Sequence, residues 1–172
     1  MNRRNIHTSS AITALGLIIS INSAMAQTKS LKDQLVGTWI ISSAETTNVD
    51  GTKFLPFGPN PKGAMVIDAT GHFTNLNATS SLPKIASNNR NTETADENKA
   101  ITQGSLASFG TYTVNEAEKL LILHVEASTF PNWVGQDLRR PINAISANEF
   151  TYTNVAPTTG AGSTKLVYKR AQ

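Results

Sequence analysis

Short segments rich in apolar and β-branched residues follow one another at close spacing through the second half of the chain, with turn residues between them. This pattern is typical of an antiparallel all-β domain. The sequence predicts five strands here, at 106–114, 120–128, 138–145, 150–155 and 165–170. Any fold for this chain therefore has to accommodate a sheet built from consecutive short strands.

The first half of the chain adds three strands and a proline-rich loop. Residues 35–47 are rich in β-branched and apolar types and predict the first strand. Residues 64–68 and 72–77 flank a turn and predict a hairpin. Residues 53–63 hold three prolines, which cannot donate to a strand ladder, so this segment is predicted to be an edge or rim loop.

One short helix is predicted after a polar loop. Residues 80–91 are rich in Ser and Asn and carry no apolar period, which predicts a surface loop. Thr94 and Glu97 match a capping box. Gly104 is placed to end the helix, so the sequence predicts a helix of about ten residues.

Eight antiparallel strands with one apolar face can be arranged in two ways. They can close into a barrel, which removes the exposed sheet edges and leaves an interior wide enough for one small ligand. They can also pack as a sandwich of two sheets. The sequence therefore predicts an all-β domain of about eight strands with one short helix.

Residues 1–26 have the organisation of a secretory signal peptide rather than of a folded segment. Residues 3–4 are basic, residues 11–21 are apolar, and residues 24–26 read Ala-Met-Ala. The apolar stretch is shorter than the roughly 20 residues that a membrane-spanning helix needs. We expect Sec export, cleavage of this segment, and a single mature domain over 27–172 in the periplasm or the medium, without membrane insertion.

Charge and cysteine content exclude several classes of function. The chain holds 15 Lys and Arg against 12 Asp and Glu, and cleavage would remove two of the arginines, leaving 13 against 12 and a net charge near +1. Such a domain has no electrostatic footprint for nucleic acid or anionic lipid. The absence of cysteine excludes disulfides, thiolate nucleophiles, cysteine-ligated zinc and lipoprotein acylation.

His124 and Glu126 stand two residues apart in a predicted strand and therefore point to the same face of the sheet. The next strand carries Arg139 and Arg140, and alternation allows only one of them to point inward. If this face lines the interior, an imidazole and a carboxylate converge where burial shifts pKa values and favours proton transfer. Three interpretations stay open: a polar network or cross-strand ion pair that fixes register, polar contacts to a ligand, and general acid–base catalysis.

An aromatic turn, Phe130–Trp133, separates these two strands. Pro131 fixes its own φ, lacks an amide donor and keeps the preceding residue out of the α region. Trp133 can gate a cavity at the rim of a barrel, or the turn can be purely structural. Tyr112 and Tyr152 are further candidates for a cavity lining, because their hydroxyls can hydrogen-bond a ligand.

Neither a metal nor a cofactor is predicted. The mature sequence keeps two histidines, His72 and His124, and it contains no H-x-x-x-H or H-x-H spacing. It also lacks the phosphate-binding pattern G-x-x-x-x-G-K-[ST] and the hydrolase pattern G-x-S-x-G.

Five motifs in order along the mature chain, LVGTW, PFGPNPKG, FGTYTV, HVEASTFPNWVGQDLRR and LVYKR, resemble those of the bacterial and fungal lipocalin-like domain family. The resemblance implies a lipocalin-like antiparallel barrel. It also implies that Trp39 closes the barrel floor and that Arg170, at the end of the last strand, lies over the indole. This meeting of the first and last strands favours the barrel over the sandwich.

Binding of a small, mostly apolar molecule in a barrel cavity is the function that the resemblance implies. The candidate ligand contacts are Trp39, Phe73, Tyr112, His124, Glu126, Trp133, Arg139 and Tyr152. One alternative is a small cyclase or isomerase that moves protons with His124 and Glu126. Another is a non-enzymatic domain whose core is filled.

Overall fold

Eight antiparallel strands close into a barrel in the computed structural model, which describes residues 29–160 and 162–172. The strands are β1 (Gly37–Thr47), β2 (Lys53–Phe54), β3 (Lys62–Ile67), β4 (His72–Ala78), β5 (Ser105–Asn115), β6 (Leu120–Ser128), β7 (Asp137–Ile145), β8 (Glu149–Asn154) and β9 (Ser163–Arg170). The helices are α1 (Leu31–Leu35), α2 (Ala95–Gly104) and a single 3-10 turn at Pro131–Trp133. The predicted signal peptide, 1–26, lies outside the described residues.

Each barrel strand pairs with the next along the chain, and the last pairs with the first. The ladder runs from β1 to β3 and then in sequence to β9, which returns to β1. The short strand β2 pairs only with the end of β1 and stands outside the closed ring. Closure removes the exposed edges of the ring, so the predicted all-β barrel is confirmed and the sandwich is wrong.

The observed boundaries differ from the predicted ones at the two ends of the barrel. Leu35 belongs to α1, so β1 begins at Gly37 rather than at residue 35. A helix of five residues is too short to show an apolar period, which explains why α1 was not predicted. The proline-rich segment 53–63 is a rim loop as predicted, but its first two residues form β2 and its last two begin β3.

The helix α2 begins where the capping box predicted it. Thr94 Oγ1 accepts a hydrogen bond from Glu97 N at 3.2 Å, and Glu97 Oε2 accepts one from Thr94 N at 2.8 Å. The same carboxylate accepts from Ala86 N at 2.8 Å. These hydrogen bonds, that from Ala86 first, lower the pKa of Glu97, and they tie the polar loop to the start of the helix.

The helix α1 closes one end of the barrel. Ser30 Oγ accepts a hydrogen bond from Asp33 N at 3.0 Å. Glu116, in the turn between β5 and β6, accepts from the amides of Leu31 at 2.8 Å and Lys32 at 3.0 Å. A carboxylate on the first amides of a helix satisfies donors that have no partner inside the helix. Leu31 and Leu35 of α1 are buried in the core, so the apolar face of this helix forms the barrel floor.

Arg170 holds this closed end together. Its guanidinium carbon lies 4.0 Å from the ring centre of Trp39. Its nitrogens donate to three backbone oxygens, those of Gln34 at 2.7 Å, Val36 at 2.9 Å and Ala147 at 2.6 Å. One side chain therefore links α1, the start of β1 and the turn between β7 and β8. The stack implied by the family resemblance is confirmed.

A glycine makes this stack possible. A Cβ at Gly37 would lie 2.4 Å from Nη1 of Arg170, and the φ of +140° is one that L side chains rarely adopt. Trp39 is fully buried, and its Nε1 donates to Leu35 O at 2.7 Å. The motif Gly37-Thr38-Trp39 therefore has a structural role, because its glycine leaves room for the guanidinium that covers the indole.

A shift in register keeps the apolar residues of β1 inside the barrel. The pairing of β1 with β9 shifts between Ile41 and Ser43. An extra residue in one strand re-aims the side chains that follow it. Ile41 and Ala44 are three residues apart, yet both are buried.

Aromatic side chains fill the closed half of the barrel. The ring centre of Trp39 lies 5.5 Å from that of Phe150, which lies 6.1 Å from that of Tyr168. Tyr152 stacks on Tyr168 at 5.8 Å with an interplanar angle of 16°. Aromatic pairs of this kind are worth about 0.5–1.5 kcal/mol each beyond their buried area, so this half forms the rigid core on which the open half stands.

We expect Arg170→Met to lower the free energy of unfolding by about 2–3 kcal/mol, because it removes charged donors from three carbonyl oxygens and the cation from the indole. Urea unfolding followed by circular dichroism measures this change. Lys169→Met is the matched control, since Lys169 is exposed on the outer face, and it should cost less than about 0.5 kcal/mol. Equal losses in the two variants would contradict the linking role of Arg170.

Candidate ligand-binding cavity

A cavity of about 630 Å³ occupies the open half of the barrel. Its mouth is formed by residues 54–57 and 157–159, by Thr129, Phe130 and Trp133, and by Thr102 and Gln103 of α2. These segments meet because every second connection of an up-and-down barrel falls at the same end. The alternative prediction, that side chains fill the whole interior of the barrel, describes only the closed half.

Most of the cavity wall is apolar. Inward-facing leucines come from β5, β6, β7 and β9, and the loops add aromatic rings; these are Leu106, Leu123, Leu138, Leu166, Phe57 and Phe130. About half of the lining residues carry polar side chains, and those deeper in the barrel include Asn75, Asn77, Ser108, Arg140, Tyr152 and Asn154. A wall whose surface is mostly apolar and carries placed polar groups is typical of small-molecule sites.

The aromatic turn contributes to the wall as well as to the connection between β6 and β7. Phe130 and Trp133 pack edge to face with ring centres 5.8 Å apart. Ser128 Oγ accepts from Phe130 N at 3.0 Å, and Trp133 N donates to Phe130 O at 3.1 Å. The structural role considered for this turn is therefore the one that the geometry supports, and the turn also holds Trp133 in the cavity wall.

Arg140, and not Arg139, points into the barrel. Arg140 shares its face of β7 with Leu138 and Ile142, and only 3% of its surface is exposed. Its Nη1 donates to the backbone oxygen of Arg139 at 3.1 Å, and its guanidinium carbon lies 5.5 Å from the ring centre of Trp133. Arg139 points outward and pairs with Glu118 at 3.2 Å. The candidate contact Arg139 is thus corrected to Arg140.

A tyrosine–asparagine layer lies between the filled core and the cavity. The hydroxyl of Tyr168 accepts from Asn77 Nδ2 at 3.0 Å and donates to Asn75 Oδ1 at 3.3 Å, across the barrel interior. Tyr152 stacks on Tyr168 and reaches the cavity wall beside Arg140. Sequence reasoning found Tyr152 but missed both asparagines.

Burial sets the protonation of this layer. It raises the pKa of Tyr152 above its ordinary value of 10.0 and that of Tyr168 well above it. Both hydroxyls therefore keep their protons at neutral pH. Burial also lowers the pKa of the Arg140 guanidinium, an effect that the neighbouring hydroxyl of Tyr152 opposes; the guanidinium remains a cation.

His124 and Glu126 lie on the outer surface of the barrel. They share a face, as alternation predicts, but Leu123 and Val125 are the buried residues of this stretch. The register of β5 with β6 shifts opposite Glu126, which has no paired residue in β5. Neither side chain lines the cavity, so the pair is not available as proton-transfer groups inside the barrel.

His124 instead belongs to a cross-strand polar network. Its Nδ1 lies 2.5 Å from Asp137 Oδ1 on β7, and its Nε2 lies 3.2 Å from Thr113 Oγ1 on β5. Contacts of this kind across neighbouring strands favour one register. The network interpretation is therefore the one that the geometry supports, with Asp137 in place of Glu126 or an arginine.

Three other candidate contacts belong to the filled half rather than to the cavity. Trp39 and Phe73 are buried in the core near α1. Tyr112 is also buried there, and its hydroxyl donates to Asp68 O at 2.7 Å. Of the predicted aromatic contacts, only Trp133 and Tyr152 line the cavity.

The described residues show neither a metal cluster nor a membrane-spanning helix. Within residues 29–160 and 162–172, no three His, Asp or Glu side chains approach closely enough to share a metal ion. Across the same ranges, no helix combines the length and the apolar character needed to cross a bilayer.

A closed antiparallel barrel with a filled end and a hollow end defines a class of all-β proteins whose interior is large enough for one small ligand. Within this class, the chain belongs to the lipocalin-like domain family, whose sequence model matches residues 36–171 and so spans every strand. The predicted family resemblance is confirmed. No curated protein matches the chain significantly.

Alkaline pH should destabilise the protein through Tyr152 and Tyr168. In the unfolded chain their hydroxyls ionise near 10.0, whereas burial raises both pKa values in the folded state. Above about pH 10 the unfolded state therefore holds fewer protons than the folded state, so stability is full below this pH and falls as the pH rises, by up to about 1.4 kcal/mol per pH unit for each tyrosine.

Urea unfolding at a series of pH values from about 9 to about 11 tests this dependence. Tyr168→Phe should flatten the alkaline slope, whatever its effect on stability at neutral pH. A slope identical to that of the wild type would contradict the assignment.

Proposed function

We propose that this chain is an exported binding protein that holds one small, mostly apolar molecule in the open half of its barrel. The observation that carries the proposal is the cavity of about 630 Å³. Small-molecule sites typically measure about 300–1,000 Å³ and have walls of this composition. Membership of the lipocalin-like domain family also supports ligand binding in the barrel.

Apolar burial would supply most of the affinity. Removing apolar surface from water contributes about 25 cal/mol per Å², and the leucine-rich wall offers such surface from four strands. At the mouth, Phe54 and Leu55 line the cavity and remain partly exposed, as does the neighbouring Val134. An apolar rim suits a ligand that is itself mostly apolar.

Export is supported by the sequence of residues 1–26 and by the organisation of the fold that follows. The cap residue of α1, Ser30, comes only a few residues after the predicted cleavage point, so cleavage would leave intact every helix and strand found in residues 29–160 and 162–172. The fold has no cysteine and needs no oxidising compartment, so it is compatible with either the periplasm or the medium.

Filling the cavity should abolish binding without unfolding the barrel. Ser108 points into the cavity and its side chain is buried, so Ser108→Phe places a ring in the hollow. We expect the affinity for Nile red, a neutral apolar dye, to fall by more than about tenfold, which corresponds to 1.4 kcal/mol. Dye fluorescence measures the affinity, and circular dichroism checks the fold.

Ala107→Phe is the matched control, because Ala107 is the neighbouring residue on the opposite face of β5 and does not line the cavity. It should leave the affinity unchanged. Equal binding by both variants and the wild type would place the dye outside the barrel. Native mass spectrometry of protein purified from its own host then identifies the natural ligand.

The full chain, expressed in its own host, should lose residues 1–26 and appear in the periplasmic or extracellular fraction. Intact mass and N-terminal sequencing measure the cleavage. Replacing the apolar residues 11–21 with a polar stretch should retain the protein in the cytoplasm, because the h-region is what the export machinery recognises. A cytoplasmic wild-type chain that keeps its first residues would contradict the export proposal.

A further inference from the structure

The cavity wall carries one positive charge and no negative charge in the part of the chain that the structure describes. Arg140 is its cation, and no Asp or Glu is among the lining residues. The ion pairs found within the described ranges all lie on the outside of the barrel, at Lys53–Glu45, His72–Asp68, His124–Asp137 and Arg139–Glu118. The charge of Arg140 therefore has no counter-charge from these residues.

The groups around Arg140 are neutral. Its contacts include the backbone oxygen of Arg139 and the ring face of Trp133, and the uncharged Tyr152 lines the same cavity nearby. They orient the guanidinium but do not neutralise it. Burying a charge without an opposite charge costs several kcal/mol.

An apolar residue would suit this position better if stability were the sole requirement. The inward positions on either side of Arg140 along β7 are Leu138 and Ile142. Replacing a buried charge by an apolar residue of similar volume is often neutral or stabilising. Residues that lower stability in this way are typical of functional sites.

We propose that Arg140 anchors the acidic group of the ligand, and that the cavity takes an amphiphilic monocarboxylate, a molecule with one carboxylate on an apolar body. This inference deepens the proposed binding function and rests on it. The carboxylate would supply the counter-charge that the described wall does not.

The charge and shape of the site favour a monocarboxylate. A guanidinium presents parallel N–H donors that match the two oxygens of a carboxylate. A phosphate dianion would keep a net negative charge in a largely apolar cavity, since the described wall holds a single cation. Tyr152, which stays protonated, offers a hydroxyl beside the guanidinium.

The position of Arg140 along its strand sets the orientation of the ligand. β7 starts at the mouth with Asp137, and Arg140 lies three residues further in, opposite the fully buried Leu121. Leu138 lies between Arg140 and the mouth, and Trp133 at the mouth packs over the guanidinium. The carboxylate would therefore enter first, and the apolar body would lie along the leucine-rich wall towards the rim.

Isothermal titration calorimetry with decanoate and with decanol, at neutral pH and below the solubility limit of each, tests the inference. The two probes share an apolar chain and differ only in the acidic group. The mature wild-type protein should bind decanoate about tenfold or more tightly than decanol, because a hydrogen bond between two charged groups is stronger than one to a neutral hydroxyl.

Arg140→Met should remove this preference, so that decanoate binds no more tightly than decanol. Arg139→Met is the matched control, since Arg139 is the outward neighbour, and it should keep the preference. Equal binding of the two probes by the wild type would overturn the anchor and leave the proposed binding function intact. Binding of neither probe would overturn both.

The thermal stability of the ligand-free protein gives a second readout that a purely structural arginine would not produce. Arg140→Met should keep or raise the melting temperature, because it removes an unpaired buried charge. A marked fall in the melting temperature, together with an unchanged preference for decanoate in any variant that folds, would assign Arg140 to the core and overturn the inference.

Discussion

Pairing between the first and the last strand closes the barrel, and the interior that the other strands enclose depends on this pairing. It places Trp39 opposite Arg170 at the closed end and Thr46 opposite Thr164 at the open end. The first pair carries the cation over the indole, and the second shares a buried hydrogen bond of 2.8 Å between hydroxyls. Because this seam is fixed at both ends, each strand of the ring has two partners, and the inward side chains surround one interior.

That interior is divided into two halves with different tasks. Stacked rings and the helix α1 fill the half that contains Trp39, and they give the barrel its rigidity. The other half is hollow and opens between loops. The layer formed by Tyr168, Asn75 and Asn77 separates the two, and its polar groups satisfy one another across the barrel. The residues that line the open half can therefore differ without any change in the packing that stabilises the fold.

Strand positions, the hairpin and the capped helix could be predicted because they depend on local signals, namely alternation, prolines and caps. Alternation shows which residues share a face but not which way the face points. In β6 the alternate residues that include Leu121 and Leu123 are apolar and buried, so His124, which belongs to the other set of alternate residues, points outward. A comparison of how apolar these two sets are would have predicted this. Asn75 and Asn77 could not be found in this way, because polar residues at alternate positions resemble a solvent-exposed face. The location of the cavity at one end depends on tertiary packing, which local signals do not contain.

The sequence contains two tryptophans, and the fold assigns one to each end of the barrel. Trp39 is buried under the Arg170 guanidinium in the filled half, whereas Trp133 forms part of the cavity wall that a bound ligand would contact. The tryptophan fluorescence of the protein is therefore the sum of two signals. That of Trp39 reports whether the barrel is folded, and that of Trp133 reports whether the cavity is filled. Replacing either indole by phenylalanine would isolate the other, so that filling and unfolding could be followed separately without an attached dye.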